Sequence, residues 1–96
     1  MRFLMKRSTH TFELNIKRTR SDARLPTKAH RSDAGFDLYL SESVELKRRT
    51  SALLDTGVAI AIPEGMVGLI KDRSSLAKRG LKTLGGVIDS GYRGEI

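Results

Sequence analysis

Residues 58–62 read Val-Ala-Ile-Ala-Ile, and Pro63-Glu64-Gly65 follows at once. Branched side chains at 58, 60 and 62 face one way and alanines the other, the two-residue period of a strand. Pro63 then withdraws the N–H that a ladder needs next. The same period recurs in Phe12, Leu14 and Ile16, in Phe36, Leu38 and Leu40, and briefly in Val44 and Leu46. Met66–Ile70 makes a further short run. Helical signal is confined to Ser74–Arg79, where Ser74 or Ser75 would cap the start and Gly80 would end the turn. Short strands with turn signals between them predict an all-β sandwich or barrel.

Ninety-six residues make one domain and a limited core, so association with other copies is attractive on physical grounds. The chain lacks cysteine, which excludes thiolate chemistry and fits a reducing, cytoplasmic setting (the host interior if the chain is viral). No apolar stretch approaches membrane-spanning length, so no membrane partner is expected. The net charge of +7 is unevenly placed: residues 1–31 carry nine Lys/Arg against two acids, residues 32–96 nine against nine. Residues 1–20 therefore read as a basic arm with a first strand, and residues 21–96 as the β domain. The arm is expected to be solvated and partly disordered, with nucleic acid a secondary partner for its charge.

Four segments carry candidate chemistry. In Ala34-Gly35-Phe36-Asp37-Leu38 one carboxylate interrupts an apolar strand. It is either a surface residue on the polar face or a magnesium anchor acting through water, since magnesium keeps several waters and shares phosphate oxygens. Asp72-Arg73-Ser74-Ser75-Leu76-Ala77-Lys78-Arg79 sets a guanidinium and two hydroxyls where a strand gives way to a helical turn. Arg grips phosphate oxygens in bidentate fashion, although a helix cap followed by a basic turn would look the same. The Ser75-x-x-Lys78 spacing within it lacks the partner motifs and the domain size of penicillin-recognising enzymes. Asp55-Thr56-Gly57 imitates the active-site strand of a retroviral aspartic protease. Only 39 residues follow it, too few for that fold, so a turn feeding the next strand is expected. His10 and His30 stand alone, without ligand spacing.

The fourth segment is Gly85-Gly86-Val87-Ile88-Asp89-Ser90-Gly91-Tyr92-Arg93-Gly94-Glu95-Ile96, an apolar run, a turn at Gly91 and a departing strand. Taken in order, residues 33–40, 72–80 and 85–95 resemble the first three motifs of the trimeric dUTPase family, and Gly57–Gly65 is similar to the link between the first two. The resemblance covers roughly residues 22–96. It implies an all-β, jelly-roll-like distorted barrel, incomplete at the C-terminus, in a homotrimer that hydrolyses dUTP to dUMP and pyrophosphate with Mg2+. By position it implies Asp89 as the general base on the attacking water and Tyr92 packed on the deoxyribose. The backbone of Gly86, Val87 and Ile88 would pair with uracil in a hairpin too tight for thymine. Arg73, Ser74 and Ser75 would hold phosphate oxygens, and Asp37 would anchor the metal through water.

Several positions depart from the family pattern. Asp72 stands where Pro or Gly is usual, Ser75 replaces a common Gly, Gly91 a frequent acid, and the connection from Ala77 to Gly85 is short. The fourth motif and the glycine-rich fifth are missing before Ile96, so a partial dUTPase with weak or no turnover alone is the expectation. A dCTP deaminase-like enzyme is the nearest alternative, although Lys78 and Tyr92 stand where that family has Arg and Phe. A non-catalytic nucleotide- or nucleic-acid-binding regulator is the other.

Overall fold

A computed structural model describes residues 2–5 and 13–96 of the chain. Residue 1 and residues 6–12 of the basic arm, His10 and Phe12 among them, lie outside the described residues. Strands are β1 (Arg2–Met5), β2 (Asn15–Arg18), β3 (Gly35–Asp37), β4 (Val58–Ala61), β5 (Gly68–Lys71) and β6 (Val87–Ile88), with one short helix, α1 (Ser74–Ala77). They form a four-stranded sheet in the order β3-β1-β5-β6 and a two-stranded sheet of β2 and β4, all antiparallel. The architecture is all-β and jelly-roll-like, and the described strands do not close into a barrel. No helix among the described residues is long and apolar enough to cross a membrane.

The core follows from the alternation in β4. Val58, Ile60 and Ile62 are each 1% exposed and pack with Ala23, Leu38 and Ile70. Full burial of such side chains stabilises by about 1.5–3 kcal/mol each. Leu14, Ile16, Met66, Ile88 and Ile96 close around this cluster. Gly57 leads into the strand at φ +71°, and a Cβ there would lie 2.7 Å from that of Ala23, so the position is reserved for glycine. The Asp-Thr-Gly sequence is structural, as expected. Thr56 is buried; its hydroxyl donates to the Ile96 carbonyl at 2.5 Å and accepts the Val58 N–H at 3.3 Å.

Two expectations change. The first residues of the basic arm are not a solvated tail, because Arg2–Met5 pairs with β3 on one side and β5 on the other. The charge balance hid three consecutive apolar residues, Phe3, Leu4 and Met5, and a strand there satisfies the backbone edges of both neighbours. Val44 and Leu46, conversely, form no strand and are exposed. They belong to an excursion closed at its base, where the Ser41 amide and hydroxyl both donate to the Asp55 carbonyl at 2.9 Å. Two alternating residues are too few to hold a ladder without a partner edge.

Candidate functional site

Asp37 ends β3, and its backbone exchanges hydrogen bonds with Thr27 at 2.7 and 3.2 Å. The bridge holds Asp37 half-buried at the sheet margin. No group of three or more Asp, Glu, His or Cys capable of holding a metal occurs among the described residues. A magnesium ion held by a single carboxylate would keep several waters and share a ligand's phosphate oxygens.

After β5 the chain turns through Asp72 into α1. Arg73 takes the N-cap position in extended conformation, and no side chain caps the helix, so neither Ser74 nor Ser75 is used as expected. Among the described residues the Arg73 guanidinium and both serine hydroxyls are left without internal partners. Gly80, at φ +88°, ends the turn as its sequence position suggests; its amide bonds to the Ala77 carbonyl and that of Leu81 to Leu76. Asp72 itself accepts the Thr83 backbone N–H at 2.7 Å. That bond, then the Thr83 hydroxyl, and more weakly the Lys82 and Lys71 charges, hold the Asp72 carboxyl below its ordinary range.

Gly86 approaches β5 so closely that a Cβ would sit 2.8 Å from the Ile70 carbonyl oxygen, and its φ is +113°. Its carbonyl accepts the Ile70 N–H at 2.8 Å. β6 then pairs with β5 alone, leaving its outer backbone edge open among the described strands. A turn follows, with the Tyr92 amide donating to the Asp89 carbonyl at 3.1 Å. The Asp89 side chain is exposed. Tyr92 is 45% exposed, its hydroxyl donating to the Glu95 carbonyl at 2.8 Å. Its ring lies against Gly94, where a Cβ would be 2.5 Å from the phenol oxygen. The chain then leaves the larger sheet: Glu95 bridges Ala59, and the Ile96 amide donates to Val58 at 3.0 Å. The Glu95 carboxylate accepts the Thr19 hydroxyl. The strand–turn–strand expectation is met, with the second strand reduced to a bridge on the other sheet.

The registers place these segments relative to one another. Asp37 and Lys71 both stand opposite Arg2, so they share one transverse row of the sheet. Ile88 stands opposite Gly68, at the far end of β5. Arg73 lies two residues beyond Lys71, and Asp89 one residue beyond Ile88 in the opposite direction. At about 3.3 Å per residue, Arg73 and Asp89 of one chain are roughly 20 Å apart. Asp37 and the Arg73–Ser75 segment thus gather at one end of the sheet, and Asp89 and Tyr92 at the other. A cleft of about 450 Å³ beside the turn is lined by Glu13, Glu64, Ser90 and Arg93 among others, and by none of the expected substrate residues.

The dUTPase family model matches residues 21–96. The chain belongs to the dUTPase family. Deoxyuridine 5′-triphosphate nucleotidohydrolase of Mycolicibacterium vanbaalenii is 52% identical over 86 residues, which are 86% of this chain and 56% of that one. Among solved structures, the dUTPase of Staphylococcus bacteriophage 80alpha, with dUpNHpp, superimposes with a TM-score of 0.83 at 39% identity, covering 90% of this chain and 52% of that one. The dUTPase of phage phi11 of S. aureus, described with a structural Mg(II) ion, gives 0.83 at 37% identity, over 88% and 56%. The chain spans about half the length of the curated relatives it matches. These likenesses do not favour the deaminase alternative.

The Asp72–Thr83 bond, the Glu95 contacts that seat the turn, and the separation of Asp37 and Arg73 from Asp89 carry no motif signature in the sequence. A carboxylate where the family usually has Pro or Gly was the only signal for the first.

Proposed function

We propose that this chain provides the nucleotide-hydrolysing domain of a dUTP diphosphatase, converting dUTP to dUMP and pyrophosphate in a cytoplasmic setting. The observation that carries the reading is the segment 85–95: a glycine-tight approach to β5, an open β6 edge, and a turn that presents Asp89 and a pinned Tyr92 together.

The Val87 backbone, on the open edge between Gly86 and Ile88, pairs with uracil. The Gly86–Ile70 approach leaves no slack for the strand to move aside for a 5-methyl group. Tyr92, immobilised by Glu95 and Gly94, offers its outer face to the deoxyribose and crowds out a 2′-hydroxyl. Arg73, with the Ser74 and Ser75 hydroxyls, grips the phosphate oxygens and aligns the chain for in-line attack. Asp89 removes a proton from water, whose oxygen bonds to the α-phosphorus as the bond to the bridging oxygen breaks and pyrophosphate departs. Asp37 would hold magnesium through water, and the bound ion would supply charge neutralisation on the phosphates.

A general base and a phosphate-gripping guanidinium must both reach one triphosphate, and a separation of roughly 20 Å within one chain argues against their doing so in the same copy. The site is therefore shared: Asp89 and Tyr92 of one copy face Asp37 and Arg73–Ser75 of the next. A head-to-tail contact makes a closed ring where its rotation allows, and the homotrimer implied by the family resemblance is such a ring. Pyrophosphate release from dUTP with magnesium, against dTTP, dCTP and an Asp89→Asn control, tests the assignment. Release from dUTP alone that vanishes in the control supports it; ammonia release from dCTP would overturn it.

A further inference from the structure

The segment joining α1 to β6 has little burial to hold it: Leu84 is 75% exposed and Leu81 38%. It ends in Gly85 and Gly86, at φ +81° and +113°. Two successive glycines set no direction of their own, so the path of the backbone into β6 depends on what fixes the residues around them. Three hydrogen bonds do so. The Leu81 amide donates to the Leu76 carbonyl at 3.1 Å, the Thr83 amide to the Asp72 carboxylate at 2.7 Å, and the Ile70 amide to the Gly86 carbonyl at 2.8 Å. The first belongs to the helix end and the last to the ladder. The middle one comes from a side chain, at a position where the family pattern has Pro or Gly.

We propose that Asp72 is a positioning residue for pyrimidine selection: it clamps the Thr83 amide so that Gly85 and Gly86 enter β6 along one path. The clamp ties the base-reading strand to the start of the phosphate-gripping segment of the same chain, which serves the neighbouring site in the shared arrangement. Lys71 and Lys82 are the charges facing the carboxylate, and both favour its acceptor form. The inference rests on the function proposed above for its substrate, but the clamp itself is a property of the free chain.

Asp72→Ala removes the acceptor and Asp72→Asn keeps an amide oxygen in its place. Since the clamp shapes base binding in ground and transition states alike, the alanine variant should raise KM for dUTP roughly three- to tenfold with kcat kept. Its preference for dUTP over dTTP should narrow, and the asparagine variant should restore much of both. Amide exchange at Thr83 and at Ile70, the donor to Gly86, should accelerate in the alanine variant. Unchanged exchange at both amides, or a fall in kcat with KM unmoved (the mark of lost folded enzyme), would overturn the clamp. A wild-type chain that neither binds nor hydrolyses dUTP would sink the proposed function, while the exchange of Thr83 and Ile70 decides the clamp on its own.

Discussion

At Gly86 a single hydrogen atom in place of a side chain decides whether β6 can lie against β5. A methyl group there would meet the Ile70 carbonyl oxygen at 2.8 Å and the Ile70 Cβ at 3.2 Å, on a backbone already at φ +113°. Gly86→Ala should cost about 1–3 kcal/mol and lift the base-reading edge away, seen as an earlier denaturation midpoint with a raised KM for dUTP. Asp72 makes a different kind of contribution, tied to pH. Its carboxyl is held below the ordinary 3.8 by Thr83, so the folded state favours the ionised form. The stabilisation is whole above that value and is lost as pH falls through the lowered folded-state pKa. The Thr83 amide resonance should therefore titrate with a midpoint under 3.8; a midpoint at or above it would contradict the clamp.

Among the elements, β4 with the adjoining Ile62 carries the three largest fully buried side chains and was the easiest to read, because branched residues at every second position leave one orientation that buries them all. Ile60→Ala, at a site 1% exposed, should destabilise by about 2–5 kcal/mol, a large share of a small domain's total stability of about 5–15 kcal/mol. A lower urea midpoint with an unchanged slope is the expected readout. β1 was illegible for the opposite reason. Its four residues have no alternation, and what makes them a strand is the pair of open edges on β3 and β5. The expected strand at Val44 and Leu46 lacks such edges and stays in a loop. α1 begins without a side-chain cap, so its serine hydroxyls are not spent on the helix's own N–H groups.

For the molecule as a whole, the shared site proposed above draws on both ends of the larger sheet. Asp37 and Arg73 stand at one end and Asp89 at the other. In solution, an Arg73→Ala variant and an Asp89→Asn variant should each be without turnover. Mixed and reassembled in equal amounts, they should recover activity in roughly a quarter of the sites, since random assembly pairs an intact Arg73 with an intact Asp89 that often. No recovery from a demonstrably mixed oligomer would place both residues in one chain's site and refute the shared arrangement. The return of residues 95–96 onto β4 also ties the hairpin to the core through Thr56 and Val58. The orientation of Asp89 and Tyr92 is thereby coupled to the best-packed strand of the fold.

The family and the all-β class were legible in the sequence, because each depends on local order: alternation in β4, glycines where the backbone turns, and motifs in succession. Gly57, Gly80 and Gly86 all proved to need the positive φ that only glycine adopts without strain. Which residues meet was decided by tertiary structure alone. Strand order and register set the distance from Arg73 to Asp89, gave Arg2–Met5 its partners and carried the Asp72 carboxylate to an amide eleven residues on. Such contacts depend on how separate segments pair, and a local pattern holds no information on its partner's register.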